Sequence, residues 1–252
     1  MSIDNTNNTH GLLYITGIGP GDRSMRTFAA HDAITQADVI VGYKRYTDLI
    51  SDLTINKQVI FSGMHDETER VNSAIDSVLC GHKVALISSG DPGVYGMAGL
   101  AFELCRQRKL TIPINVFPGI TAANSAAAIL GAPLSCDYCV LSLSDLLVPA
   151  SRIIKRAEAA ASGDFVTVIY NPASSERTEM IHEIRNIFLR RNNPQTPVGI
   201  VRNIYRKGQN VRITTLSDFT DFNLDMLTTV ILGNSESFVY NDRLVNPRGY
   251  GL

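Results

Sequence analysis

The chain has 252 residues, of which 44% are hydrophobic and 19% charged, with a formal net charge of −1. That length supports one large domain or two modest ones, and the near-neutral balance argues against a partner held through nucleic-acid phosphates. No stretch reaches the roughly 20 uncharged apolar residues of a membrane helix.

Residues 1–10 are polar and Asn-rich and lack the basic and apolar regions of a secretory leader; they read as a loose tail. Gly11 to Ile18 is the first strand and runs into a glycine-rich bend, Gly17-Ile18-Gly19-Pro20-Gly21-Asp22. The spacing of Met25, Phe28, Ala29, Ala33 and Ile34 predicts a helix from Met25 to Ala37. Val39 to Val41 is a short strand, Tyr43 to Ile50 a helix, and Val59 to Phe61 another strand. Glu67 to Leu79 is an amphipathic helix with Val71, Ala74, Ile75 and Val78 on one face, ended by Gly81. Lys83 to Ile87 is a buried strand. It enters the bend Ser89-Gly90-Asp91-Pro92-Gly93-Val94-Tyr95-Gly96, where the backbone must turn sharply and lie open to a neighbour. A helix then runs to about Lys109, and the strand Ile114–Phe117 ends at Pro118-Gly119. Strand and helix alternate, so the sheet is mostly parallel.

The helix Thr121–Leu130, made of small residues and stopped by Gly131-Ala132-Pro133, is the candidate joint between two domains. Beyond it the strands are Cys139–Leu143, Phe165–Tyr170, Val198–Arg202, Val211–Thr215 and Thr228–Leu232, with helices over Ile153–Ala161 and Ser175–Arg191. The turn residues Arg206 to Asn210 predict a hairpin between Val201 and Val211. The fold class is therefore α/β: a tail (1–10), an N-terminal α/β domain (11–120) and a C-terminal α/β domain (121–252).

The first bend is not a dinucleotide fingerprint. Its glycines do not follow G-x-G-x-x-G, Pro20 interrupts them, and the second strand ends in Tyr43-Lys44-Arg45 with no acid for a ribose. Neither bend carries the Gly-Lys-Ser/Thr of a phosphate-binding loop. Cys136-x-x-Cys139 has the spacing of half a metal site or of a redox pair, but Cys80 and Cys105 form no second pair and no thioredoxin-like context surrounds it; the four cysteines read as reduced thiols in a cytoplasmic protein with no protein-held metal.

Taken together, Gly17 to Asp22, Ser88 to Gly96 and Pro118-Gly119-Ile120-Thr121-Ala122-Ala123 resemble, in order and spacing, the tetrapyrrole (uroporphyrinogen-III/corrin) methyltransferases. Gly42-Tyr43, Gly63-Met64, Gly90 to Gly99, Leu141 to Leu147, Tyr170-Asn171-Pro172, Val198 to Asn203 and Pro247 to Tyr250 resemble the branch that methylates C17 of precorrin-3B, or of cobalt-factor III in the anaerobic route, and contracts the macrocycle in cobalamin synthesis. The resemblance covers nearly all of Gly11 to Tyr250. It implies two α/β domains with S-adenosyl-L-methionine in the cleft between them, S-adenosyl-L-homocysteine as product, and a homodimer. By motif, the donor site is lined by Pro20, by Ser89, Gly90, Asp91 and Val94, by Thr121 and Ala122, and by Asn171 and Ile204. Methylation at another corrin position, or a non-catalytic sensor of S-adenosylmethionine or a nucleotide, are the alternatives.

Methyl transfer from a sulfonium needs alignment more than acid–base help, whereas ring contraction needs proton transfers. The candidates at strand ends are Tyr43, Lys44, Arg45, His65, Ser142, Ser144 and Asp145. Arg45, Arg177, Arg202 and Arg248 are the expected partners of the substrate's carboxylate arms. Plainer readings stand beside these: Thr121 as a helix cap, His65 as a solvated loop residue next to Asp66-Glu67, Ser142, Ser144 and Asp145 as strand-end turn formers, and the arginines as solvated surface.

Overall fold

The computed structural model describes residues 11–63, 66–174 and 177–251. The tail 1–10 and His65 lie outside them. The chain divides into two compact units, the first ending at Thr121 and the second beginning at Ala122.

The first unit is built on a five-stranded sheet of β1 (Leu12–Gly17), β2 (Val39–Tyr43), β3 (Gln58–Ser62), β4 (Lys83–Ser88) and β5 (Ile114–Phe117), in the order β3-β2-β4-β1-β5. Every pairing is parallel. A parallel sheet is covered on both faces, so its strands read as unbroken apolar runs sorted by a period of two. Leu13 and Ile15 of β1, Val39 and Val41 of β2, and Val84 and Leu86 of β4 face α3 (Glu67–Leu79) and α4 (Met97–Gln107). Tyr14, Ile40, Ala85 and Ile87 face the opposite way, toward Ala33 and Ile34 of α1 (Phe28–Gln36). The helix after β1 thus covers one face and the helix after β4 covers the other. That makes the boundary between adjacent β1 and β4 a topological switch point, the place where open α/β sheets leave a crevice at their carboxyl ends.

Two helices begin or run differently from their sequence patterns. The helix expected from Met25 starts at Phe28, because Thr27 caps it by accepting from Ala30 N at 3.2 Å, and Asp22 caps a separate 3-10 turn over Arg23–Met25. Its buried face is Ala30, Ala33 and Ile34, while Phe28 is 89% exposed. The stretch after β2 is a short α2 (Lys44–Thr47) followed by 3-10 turns over Asp48–Leu53, kinked at Ile50.

The second unit opens with α5 (Ala122–Leu130), whose first free donors include Ala123 N, bonded to the Tyr170 hydroxyl at 2.8 Å. Its main sheet contains β7 (Tyr138–Ser142), β8 (Val166–Tyr170), β9 (Pro197–Arg202), β10 (Asn210–Thr215) and β11 (Thr228–Leu232), in the order β10-β9-β11-β8-β7. Only β7 and β8 are parallel; the others pair antiparallel, including the expected β9–β10 hairpin. α5 covers one face, with Ala123, Ala126 and Leu130 against Val168, Val201 and Ile231. α6 (Ala150–Ser162) and α7 (Glu179–Leu189) cover the other.

The expected start of the next helix, Ser175, lies outside the described residues; α7 is described from Glu179, and before it Ser174 and Arg177 bond each other's backbone (3.0 and 3.3 Å). A small third sheet was not legible in the sequence. β6 (Gly131–Ala132) pairs with β13 (Arg243–Val245), which pairs with β12 (Phe238–Tyr240). Gly131-Ala132, expected only to stop a helix, is therefore also a strand.

Candidate active site

The carboxyl ends of the neighbouring strands β4, β1 and β5 lead directly into the three glycine-containing bends. Gly19 and Gly90 exchange backbone hydrogen bonds (Gly19 N to Gly90 O at 3.1 Å, Gly90 N to Gly19 O at 2.8 Å). Gly90 holds φ at +64°, a left-handed conformation that strains any residue with a Cβ. The Asp91 carboxylate joins the bends. One oxygen accepts from Gly93 N at 2.8 Å and the other from Gly119 N at 3.0 Å. A Cβ on Gly119 would lie 2.0 Å from Gly90 O and 2.8 Å from the Gly17 carbonyl.

This changes the reason for the small residues. Room for a ligand's close approach is not the first requirement: Gly17 and Gly119 are small because the bends press backbone against backbone, and Gly90 because its φ is left-handed. Asp91, expected to hold a cofactor, spends both oxygens on main-chain donors and so shapes the bends. Among the other expected cofactor contacts, Ser89, Gly90 and Val94 are half-buried, Gly93 beside them is exposed, and Pro20 is buried. Thr121 ends the first unit, and Ala122 is a half-buried residue of α5 packed on the second core. Ile204 is 6% exposed and packed into the same core. Its side chain belongs to that core, which leaves its main chain as the part a ligand could meet.

A cavity of about 640 Å³ opens at the ends of β2 and β3, lined by Tyr43, Lys44, Arg45, Asp48, Phe61, Ser62 and Gly63. It brings together Tyr43, Lys44 and Arg45, which the sequence placed at a strand end. Lys44 pairs loosely with Asp48 at 3.5 Å and lies 5.6 Å from the Phe61 ring. Behind the wall is a residue the sequence reading missed, Arg70 of α3, only 5% exposed. Its Nε donates to Ser62 Oγ at 3.0 Å and one terminal nitrogen to Gly63 O at 2.6 Å, and its guanidinium lies 5.9 Å from the Tyr43 ring centre. The signal was present in the spacing: Arg70, Ala74 and Val78 recur every four residues, which puts Arg70 on the helix's buried side.

In the second unit, five expected site residues form one network at the carboxyl ends of parallel β7 and β8. Ser142 Oγ accepts from Asn171 Nδ2 at 3.0 Å and from Ser144 N at 3.3 Å. Asn171 has a left-handed φ of +52°. Arg177 donates to Asn171 O and to Asp145 Oδ1, both at 3.1 Å. Arg177, expected to meet a substrate carboxylate, is thus already committed to Asp145 and to the backbone it steadies.

Arg202 is committed too, donating to Asp225 Oδ2 at 2.8 Å. Arg248 donates to Ser135 O at 3.0 Å. Of the four arginines expected to bind substrate, Arg45 is the one that lines the cavity.

Burial pushes the Asp225 carboxyl up, but hydrogen bonds from Arg202, the Thr228 hydroxyl and Leu227 N outweigh it and hold the group below its ordinary 3.8. A depressed folded-state value contributes stability that is present above the unfolded value and lost as pH falls through the folded one. Asp225→Asn is therefore expected to flatten the fall of melting temperature below about pH 4, measured by thermal denaturation across acid buffers. An unchanged acid profile would contradict the pairing.

The bends lie at the sheet's topological switch point, where open α/β sheets leave a crevice. Residues 12–220 match the family model of the Tetrapyrrole (Corrin/Porphyrin) Methylases, and the chain belongs to that family. A relative from Priestia megaterium, named cobalt-factor III methyltransferase, is 46% identical over 244 residues; the match covers 95% of this chain and 45% of the relative, so the chain spans less than half of that protein. A relative from Salmonella typhimurium, named probable cobalt-factor III C(17)-methyltransferase, is 45% identical over 241 residues, covering 96% of this chain and 100% of the relative. Among solved structures, the methyltransferase CobJ is similar, with a TM-score of 0.88 at 31% identity, covering 94% of this chain and 100% of that one.

Proposed function

We propose that the chain transfers the methyl group of S-adenosyl-L-methionine to C17 of precorrin-3B or cobalt-factor III, releasing S-adenosyl-L-homocysteine, with contraction of the macrocycle coupled to the transfer. The observation that carries this reading is the knot of three bends at the β4–β1–β5 strand ends, in a chain of the tetrapyrrole methylase family.

The residues at the second bend fit the donor. Ser89, Gly90, Asp91 and Val94 are only half-buried, and a Cβ on exposed Gly93 would meet only Asp91 Oδ1, at 3.2 Å, so a ligand can approach the main chain there. When bound, the donor supplies an electrophilic methyl group; the chain's task is to align the acceptor carbon with it and exclude water. Asp91 holds the bends in place for that task. Tyr43 in the cavity, with Ser142 and Ser144 in the second unit, are the groups proposed for the proton movements of ring contraction. Asp145, ion-paired with Arg177, orients rather than accepts. The same reading includes domains at 11–120 and 121–252 and a cytoplasmic homodimer.

The test is incubation with methyl-labelled S-adenosylmethionine and cobalt-factor III, with the product read by NMR. Label at C17 of a contracted ring is the expected result. Label at another carbon would reassign the position. Heat of binding for S-adenosylhomocysteine without any transfer would leave a sensor in place of an enzyme.

A further inference from the structure

We propose that Arg70 is a positioning residue that makes the Tyr43–Ser62–Gly63 cavity the seat of a carboxylate arm of the substrate; this rests on the acidic tetrapyrrole reading above. A buried cation is costly unless an opposite charge compensates it, and among the described residues no ion pair to Arg70 exists. Asp66, at the cap of the same helix, gives one oxygen to Gly63 N at 3.0 Å instead.

Three nitrogens of Arg70 are used on neutral acceptors: the Ser62 hydroxyl, the Gly63 carbonyl and, at 3.9 Å, the Met97 sulfur. Two of these acceptors, Ser62 and Gly63, are cavity wall, and the guanidinium also lies against the Tyr43 ring. The charges around the cavity lean positive, with Asp66 on Gly63 N as the acid on the backing side. Lys44 and Arg45 line it, Arg70 stands directly behind it, and its one acidic lining residue, Asp48, is paired with Lys44. Behind a low-dielectric wall, an unscreened guanidinium acts more strongly on a ligand charge than a solvated rim lysine does. Arg70 therefore does two things at once: it fixes the wall that a ligand touches, and it gives that wall a preference for anions.

The probe is uroporphyrin, a fully carboxylated porphyrin, titrated by fluorescence against the intact protein, with S-adenosylhomocysteine titrated separately by calorimetry. Arg70→Gln is expected to weaken uroporphyrin binding about tenfold or more, while S-adenosylhomocysteine affinity stays within about twofold and Arg70→Lys stays within about threefold of wild type. Should Arg70→Gln fail to fold, Ser62→Asp decides the matter: it neutralises the guanidinium in place and is expected to reproduce the loss. Wild-type affinity in the Ser62→Asp variant would overturn the proposal, as would an Arg70→Lys loss equal to that of a folded Arg70→Gln. Because uroporphyrin binding needs no turnover, a wild-type protein that binds it but transfers no methyl group would refute the proposed activity and leave this test readable.

Discussion

Replacing Gly119 with alanine is expected to destabilise the first unit strongly rather than merely impair a site. The added Cβ would sit 2.0 Å from Gly90 O and 2.8 Å from both Gly17 C and Gly17 O. All three are backbone atoms, so no side-chain rotation relieves the clash. Relief requires the second bend to withdraw, which breaks the paired Gly19–Gly90 hydrogen bonds and the bond from Gly119 N to Asp91. Overpacking costs about 1–3 kcal/mol, and each lost backbone bond adds about 0.5–1.5 kcal/mol. A loss of about 3 kcal/mol or more follows, and a unit of this size drops in melting temperature by roughly 4–8 °C per kcal/mol. Thermal denaturation followed by circular dichroism should show a fall above about 12 °C, or insoluble protein. A shift of a degree or two would mean that the bends do not press together as described.

Asp91→Ala is expected to separate binding from folding. It leaves Gly93 N and Gly119 N without their acceptor. Gly93 is exposed and Gly119 half-buried, so both exchange a charged acceptor for a less fixed one, Gly119 at the greater cost. Bonds to a charged acceptor contribute about 1.5–3 kcal/mol. The unpinned second and third bends then reorder each time a donor binds, and S-adenosylhomocysteine affinity should fall by about 10–100-fold in calorimetry. Asp91→Asn retains one oxygen acceptor and should lie between the two. Undiminished affinity in Asp91→Ala would show that the carboxylate organises nothing the donor uses.

Much of this was readable from the chain. The alternation of strand and helix over the first half gave a parallel sheet, and the Glu67–Leu79 pattern gave its helix to the residue. What escaped did so for identifiable reasons. Thr27 is a cap inside what looked like a continuous helical pattern, so capping overruled periodicity. The strands β6, β12 and β13 are two or three residues long, too short for alternation to register, and they exist through pairing distant in sequence.

The candidate site divides the same way. The bends were visible as clusters of turn formers, yet whether a glycine is small for a ligand or for its neighbouring backbone is a three-dimensional matter, and Gly119 answers it for the latter. Arginines are ambiguous in one dimension. Arg177 and Arg202 looked like substrate clamps and are held by Asp145 and Asp225. Arg70 drew no notice within a helix whose apolar face was read from Val71, Ala74, Ile75 and Val78, and it is buried beside the cavity.

The most direct test is a crystal structure of the protein with S-adenosylhomocysteine. The account predicts the thioether nucleoside lying against the main chain of residues 89–94, with residues 17–21 and 118–121 within contact distance and the Asp91 carboxylate still turned to Gly93 and Gly119. A nucleoside lodged away from all three bends would contradict it.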